Sequence, residues 1–122
     1  MGKFVIRNVP TGMKFDLRAT NGEMIATGEV YTTLASCRRG IEAVRRCAAA
    51  GKVLDATQLH PAPVTNPKFE IFQDKRGAYR FRMRARNGET IAHSEPYASK
   101  TACLEGVDSV MENAPTAEVE ME

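Results

Sequence analysis

Apolar and polar residues alternate strictly in two segments of the chain, MKFDLRAT (residues 13–20) and YRFRMRAR (residues 79–86). A period of two residues is typical of a β-strand with one buried face. Phe15 and Leu17 share one face of the first segment, and Phe81 and Met83 share one face of the second. A short β-rich run, FVIRN or FEIFQ, precedes each segment across a Gly-containing turn, which predicts two antiparallel strand pairs.

Each alternating segment ends at an Asn-Gly pair, Asn21-Gly22 or Asn87-Gly88. This dipeptide is a strong hairpin signal, because a type I′ turn needs positive φ at both central residues. The sequence therefore predicts a type I′ turn in each half, followed by a third strand that runs back antiparallel to the second.

The period lengthens to that of an amphipathic helix beyond Tyr31 and Tyr97. Thr33 and Ser99 are suitable N-caps, because their side-chain oxygens can accept from the free backbone N–H groups of the first turn. Apolar residues follow at i, i+4, i+7 and i+11, which places them on one helix face. The two sets are Cys37, Ile41, Val44 and Ala48, and Cys103, Val107, Val110 and Ala114. Gly40 and Gly106 lie beside this face, which indicates a close approach of helix to sheet.

The two halves of the chain are copies of one unit. A shift of 66 residues aligns positions 15–48 with positions 81–114, and 14 of these 34 positions are identical. The identical positions are Phe15, Arg18, Ala19, Asn21, Gly22, Glu23, Ile25, Ala26, Glu29, Tyr31, Cys37, Gly40, Val44 and Ala48. Upstream the shift is 65, so the first turn differs in length by one residue. A repeat of this size indicates a duplicated structural unit.

One long pattern carries a resemblance: GKF-x-I, then G-x-YRFR-x-RA-x-NGE-x-I, then S-E-x-Y-x-S-K-x-x-C-L-x-G-V-x-S-V. Residues 67–110 match it closely and residues 2–44 more loosely. In this pattern the chain resembles the YegP-like family of small, mostly bacterial proteins of unknown function. The resemblance implies a βββαβ unit, duplicated or dimerised into one antiparallel sheet with the helices on one side. It implies no agreed activity.

These observations predict an α+β protein in which two tandem βββαβ repeats form a single antiparallel sheet with two helices on one face. We expect the first repeat over residues 1–57, a Pro-rich connector over 58–67 and the second repeat over 68–122. A unit of about 55 residues has a thin core and an open sheet edge, so each half should complete the other in one monomeric pseudo-dimer. The pattern leaves open which repeat each final strand joins.

The composition predicts a cytoplasmic protein without metal or cofactor. Three cysteines, Cys37, Cys47 and Cys103, are odd in number and lack CxxC spacing, which argues against a disulfide framework or a zinc site. Cys37 and Cys103 belong to the buried helix faces, whereas Cys47 lies three residues beyond Val44 and is expected to be more exposed. No run of apolar residues has the length of a signal peptide or a membrane span.

The candidate binding residues are Arg80, Arg82, Arg84 and Arg86, which the two-residue period places on one strand face. One interpretation is an anion-binding stripe for RNA, DNA or an acidic peptide. The other is a solvated face neutralised by neighbouring strands, with Glu118, Glu120 and Glu122 of the last strand as the counter-ions. We favour neutralisation, because charge on the outer face of such a sheet is ordinary.

No catalytic residues are predicted. His93-Ser94-Glu95 has the composition of a catalytic triad, but a triad is assembled in space and not along the chain. The sequence therefore favours a non-catalytic binding or interaction module that uses the outer face or an edge of the sheet, with a protein partner. The alternative is a nucleic-acid-binding protein that acts through the arginine stripe.

Overall fold

The structure, a computed structural model, describes residues 2–122 and contains the βββαβ unit twice. The first unit consists of β1 (Lys3–Val9), β2 (Gly12–Arg18), β3 (Met24–Gly28), α1 (Leu34–Ala50) and β4 (Val53–Asp55). The second consists of β5 (Lys68–Gln73), β6 (Tyr79–Arg84), β7 (Thr90–His93), α2 (Lys100–Asn113) and β8 (Glu118–Met121). The predicted α+β class and the order of elements are confirmed.

All eight strands belong to one sheet, in the order β4-β5-β6-β7-β3-β2-β1-β8. The two repeats meet at the central β3–β7 pair, where Thr27 lies opposite His93. The final strands are exchanged, because β4 pairs with β5 of the second repeat and β8 pairs with β1 of the first. Both exchanged pairs are parallel, whereas all other pairs are antiparallel. The prediction of one sheet is confirmed, but the sheet is mixed and not wholly antiparallel.

The length of the first helix accounts for this exchange. α1 has 17 residues, and at about 1.5 Å per residue it is about 25 Å long. It packs against β2 of its own repeat and against β5, β6 and β7 of the other. Adjacent strands are about 4.8 Å apart, so four spacings from β2 to β5 amount to about 19 Å. The helix therefore delivers the chain to the far edge of the other half, where β4 adds beside β5.

The core lies between the helices and one face of the sheet. The predicted helix faces are buried, and so are the predicted strand residues Phe15, Leu17, Phe81 and Met83. A group of three aromatic rings recurs in each half, with one edge-to-face contact and one stack that includes the tyrosine. The rings are Phe4, Phe15 and Tyr31 in the first repeat, and Phe69, Phe81 and Tyr97 in the second.

The tyrosine of each stack explains the glycine in the middle of each helix. A Cβ atom on Gly40 would lie 2.2 Å from Tyr31 Oη, and one on Gly106 would lie 2.3 Å from Tyr97 Oη. The close approach expected at these glycines is therefore made by a tyrosine hydroxyl, which takes the space of a side chain. Only glycine fits beneath it.

The Asn-Gly segments form hairpins, but the predicted type I′ geometry is wrong. Gly22 has a positive φ of 86°, whereas Asn21 does not have a positive φ. Gly22 N–H donates to Ala19 O, and Ala19 N–H donates to Glu23 O, which is the pattern of a type I turn followed by a glycine bulge. Asn21 Oδ1 accepts from Glu23 N–H. The second repeat contains the same arrangement at residues 85–89.

The helices begin alike and end differently. Thr33 and Ser99 are the N-caps, as predicted. α1 ends at Gly51, which has the left-handed φ of 61° that suits a glycine cap. α2 ends at Ala114 in a right-handed conformation, and its terminal carbonyl groups accept hydrogen bonds from Arg45 of the other repeat.

Candidate functional site

The outer face of the sheet, defined here as the face opposite the helices, carries the candidate binding residues. The strand registers place more basic than acidic side chains on it. The basic residues of its strands are Lys3, Arg7, Lys14, Arg18, Lys68, Arg80, Arg82 and Arg84; the acidic residues are Asp16, Glu70, Glu118 and Glu120. This face is therefore net positive.

One row of paired residues crosses the entire outer face. It runs through Leu54, Glu70, Arg82, His93, Thr27, Asp16, Val5 and Glu120. Glu70 and Arg82 are direct neighbours in this row, and opposite charges at such cross-strand positions contribute about 0.2–1 kcal/mol per pair. The row therefore holds the counter-ion that the arginine stripe needs.

Arg82 occupies the middle of the stripe. Its Nε atom lies 2.8 Å from Glu70 Oε1, and its guanidinium carbon lies 4.0 Å from the centre of the Phe72 ring. A guanidinium stacked on an aromatic face is held in a fixed orientation. The two terminal nitrogens of Arg82 have no protein partner among residues 2–122, so Arg82 presents two oriented donors.

Arg84 and Arg80 differ in how far their donors are used. Arg84 donates to both carboxylate oxygens of Glu70 and to Gly88 O, at distances of 3.1–3.5 Å. Arg80 donates from Nη2 to Ser94 O at 3.0 Å and lies 4.0 Å from Asp74. Arg84 is therefore a structural residue. The buried Nε atoms of Arg80 and Arg82 have no hydrogen-bond partner within the described chain, although Glu70 forms a close ion pair with Arg82.

The shared carboxylate of Glu70 is held in its ionised form. Burial alone would raise its pKa, but the hydrogen bond and charge of Arg84, with the charge of Arg82, hold the pKa below its ordinary value. The sequence contains the signal for this residue, because FEIFQ places Glu70 on the face opposite Phe69 and Ile71. Our sequence analysis overlooked it.

The glutamates of the last strand are not the counter-ions of the stripe, contrary to the prediction. β8 lies at the edge of the sheet next to β1, five strands away from β6. Glu120 instead lies 3.0 Å from Lys3 Nζ. The prediction failed because the exchange of final strands takes β8 away from its own repeat.

Arg86 is not on the strand face either. β6 ends at Arg84, and the register shifts between Met83 and Arg84. Arg86 follows in the turn to β7, where it is exposed and lines a cavity with Arg46 of α1. The stripe on the outer face therefore consists of Arg80, Arg82 and Arg84.

The first repeat has a buried carboxylate where the second has Arg82. Asp16 is 2% exposed, accepts a hydrogen bond from Arg7 at 2.9 Å and another from the Thr27 hydroxyl at 2.8 Å. Arg18 lies 3.9 Å from the same carboxylate. Arg7 and Arg18 therefore both lie close to the buried Asp16 carboxylate, and the first repeat offers fewer free donors than the second.

The cysteines of the described chain are all free and buried. This confirms the expectation for Cys37 and Cys103 but contradicts it for Cys47, which is fully buried. Burial raises the pKa of the Cys47 thiol to about 12, in spite of a hydrogen bond from the Arg84 backbone. A thiol held in its protonated form is a poor nucleophile and a poor metal ligand.

The His93-Ser94-Glu95 segment does not form a catalytic triad. The Ser94 hydroxyl is buried; it donates to Glu95 O at 2.8 Å and accepts from Phe81 N–H at 3.0 Å. His93 lies on the outer face, with Nδ1 3.6 Å from Glu29 Oε1. Across residues 2–122, no group of three or more His, Cys, Asp and Glu side chains could hold a metal ion.

The duplicated geometry agrees with a known family. The sequence profile of a domain of unknown function, DUF1508, matches residues 12–55 and again residues 74–120. This chain belongs to the DUF1508 family. One match lies within each repeat, and the resemblance to YegP-like proteins is confirmed. Nothing known of the DUF1508 family indicates catalysis or a specific ligand.

Relatives of the chain differ in length. A UPF0339 protein of Bordetella pertussis is 33% identical over 116 residues, which cover 95% of this chain and 91% of the relative. A UPF0339 protein of Methanosarcina acetivorans is 54% identical over 52 residues, which cover 43% of this chain and 90% of the relative. The second relative therefore has about the length of a single repeat.

Solved structures of similar proteins share the fold of this DUF1508 chain. The solution structure of YegP from E. coli, a protein of unknown function, has a TM-score of 0.82 at 26% identity, covering 99% of this chain and 92% of YegP. That of the UPF0339 protein SO3888 from Shewanella oneidensis has a TM-score of 0.80 at 27% identity, covering 98% and 90%. Neither helix of the described chain is long and apolar enough to cross a membrane.

Proposed function

We propose that this protein is a non-catalytic binding module that takes an acidic segment of a partner protein on the outer face of its sheet. The proposal rests on the fixed orientation and the free donors of the Arg82 guanidinium. Its guanidinium is fixed by Glu70 and Phe72, and its two terminal nitrogens have no partner within residues 2–122. An oriented pair of donors matches the two oxygens of a carboxylate.

The surroundings of Arg82 support an acidic partner. Arg80 is its neighbour on the same strand face, and its Nη1 atom lies 4.0 Å from Asp74, beyond hydrogen-bonding distance. Basic residues outnumber acidic ones on the strands of this face, which would speed the encounter with a negatively charged segment. The expected contacts are Arg80 and Arg82, with Arg84 holding the strand pair beneath them.

A bacterial cytoplasm is the proposed location, and a monomer the proposed state. Three free, buried cysteines support a reducing compartment. The pairing of both repeats within one sheet supports a monomer, because the interface between the units is already filled inside the chain.

Nucleic acid is the alternative partner, favoured by the arginines on an open sheet face. Two observations weigh against it. Phe72 is the single aromatic side chain that the described strands place on the outer face, and Arg82 covers it. Sheets that bind single strands stack several bases on exposed rings. In addition, Glu70 neutralises part of the stripe that would contact phosphates.

Fluorescence anisotropy separates the two partners. A labelled glutamate-rich peptide, a single-stranded RNA and a duplex DNA are titrated with the full chain at two salt concentrations. We expect saturable binding of the peptide, weakened about tenfold or more by Arg82→Gln, because a charge-assisted hydrogen bond contributes about 1.5–3 kcal/mol. The control is Arg39→Gln on an exposed part of α1, which should leave binding unchanged.

Two results would contradict the proposal. One is peptide binding that Arg82→Gln and Arg39→Gln weaken equally, since the outer face would then not be the site. The other is sub-micromolar, strongly salt-dependent binding of RNA or DNA that Arg82→Gln abolishes. Duplex binding by phosphate contacts has a log–log salt slope of about −0.9 per contact, and that slope would establish the nucleic-acid alternative.

A further inference from the structure

A cavity of about 240 Å³ lies where the two repeats meet, on the helix side of the sheet and away from the outer face. Its walls come from α1 of the first repeat and from the second repeat before β5 and after β6. The lining residues are Ala43, Arg46, Pro67, Ala85, Arg86 and Asn87. Two alanines and a proline form an apolar floor, and one arginine from each repeat stands at the wall.

Neither arginine of this cavity is neutralised by the protein. Arg46 and Arg86 are both exposed, and neither forms an ion pair or side-chain hydrogen bond with residues 2–122. This contrasts with Arg45, Arg82 and Arg84, each of which meets a carboxylate. Two guanidinium groups that line one small cavity can both interact favourably with an anion bound inside it.

The charge of the cavity is specific to one end of the molecule. The duplication places Thr20 at the position equivalent to Arg86, and Glu112 at the position equivalent to Arg46. The repeat therefore does not require an arginine at either position.

We propose that this cavity binds a small phosphate monoester that carries an apolar group. A phosphate monoester has a charge of about −1.5 to −2 at pH 7, which matches two guanidinium groups. Arginine binds phosphate oxygens through paired N–H donors. Ala43, Pro67 and Ala85 offer no hydrogen-bonding side chain, so the floor suits the apolar part of the ligand. The volume is below the range of about 300–1,000 Å³ that is typical of drug-sized ligands, which indicates a small ligand.

Phenyl phosphate is the probe, added to the isotopically labelled full chain and followed by two-dimensional NMR of the backbone amides. We expect saturable shifts at Ala43 and at residues 85–88, and weaker binding of inorganic phosphate, which lacks the apolar group, and of benzoate, which has a single charge. Arg46→Gln and Arg86→Gln should each weaken binding about tenfold or more. Arg39→Gln on the same helix is the matched control, and Arg82→Gln separates this cavity from the outer face.

Any of the following four results would contradict the proposal. Absence of saturable shifts would mean that the arginine pair is solvated surface. Equal affinity for benzoate would remove the requirement for a dianion, and equal affinity for inorganic phosphate would remove the role of the apolar floor. Shifts centred on the outer face and lost in Arg82→Gln would assign the binding to that face, which leaves the proposed protein-binding function standing while refuting this cavity. The spectra also report whether each variant is folded.

Discussion

Replacement of Arg45 by methionine tests how much the hydrogen bonds between the two repeats stabilise the fold. Arg45 Nη1 donates to Ala114 O at 2.8 Å and Nη2 donates to Ala117 O at 2.9 Å, across the boundary between the repeats. These carbonyls lie at the end of α2 and in the segment that leads to β8. α2 lacks a left-handed glycine cap, so Arg45 takes the place of one. The equivalent residue of the second repeat is Met111, which lies against Gly51 at the end of α1.

The cost of Arg45→Met follows from these contacts. A hydrogen bond to a charged group contributes about 1.5–3 kcal/mol, and a cation at a helix C-terminus contributes about 0.3–1 kcal/mol. The side chain is 23% exposed, and its bonds share one guanidinium, so their energies do not add in full. We expect a loss of about 2–4 kcal/mol in the free energy of unfolding, which lowers the urea midpoint by on the order of 1–2 M.

Arg39→Met is the matched control, because Arg39 lies on the same helix, is exposed, and its side chain forms no hydrogen bond or ion pair with residues 2–122. Its unfolding free energy should stay within about 0.5 kcal/mol of the parent, as is usual for surface substitutions. Urea denaturation followed by circular dichroism measures both variants. If Arg45→Met is no less stable than Arg39→Met, the bridge from α1 to the end of α2 does not stabilise the fold.

Three further predictions concern the core, the carboxylate of Glu70 and the duplication. Phe81→Ala should cost about 3–5 kcal/mol, because Phe81 is fully buried between Phe69 and Tyr97; an unchanged urea midpoint would contradict the assignment of the strand face. The pKa of Glu70 is lower in the folded state than its ordinary value of 4.5, so the unfolded chain binds more protons and stability falls as the pH drops below about 5. Glu70→Gln should flatten that part of the stability curve, and an identical curve would show that Glu70 does not contribute to it. Residues 2–56 alone should be unfolded or dimeric in size-exclusion chromatography, since β4 and β3 both pair with the other repeat; a stable folded monomer would refute the shared core.

The local elements could be predicted from the sequence because each is encoded by nearby residues. The alternation around Phe15 and Phe81 defines one strand face, and both residues are buried. The hydroxyls of Thr33 and Ser99 accept from the backbone three residues later, which determines where each helix begins. Both signals act over a few residues, so neither depends on how the repeats are arranged.

The arrangement of the repeats could not be predicted in the same way. β4 and β8 are short strands, and their own residues do not determine which strand they pair with. The sequence of each strand is compatible with a parallel or an antiparallel partner in either repeat. The partner follows from the length and direction of the preceding helix. The counter-ions of the arginine stripe were predicted wrongly for the same reason. Glu118 and Glu120 were assigned to the stripe before the position of β8 in the sheet was known. Cys47 was misjudged because the second repeat covers a part of α1 that one repeat alone would leave exposed.

The two repeats agree at core positions and differ on the outer face. Positions that are identical in both, such as the residues of the tyrosine–glycine contact, belong to the core that joins sheet and helix. On the outer face the same duplication pairs Asp16 with Arg82 and Thr27 with His93. A symmetric dimer of single repeats would carry identical residues at both members of each such pair, and hence equal charge on both halves. Fusion into one chain removes that constraint, because each half can change its surface while the shared core stays intact. In the first half, Asp16 pairs with Arg7 and lies near Arg18. In the second half, the terminal nitrogens of Arg82 donate no hydrogen bond within residues 2–122. This asymmetry agrees with the proposal that the second half binds an acidic partner.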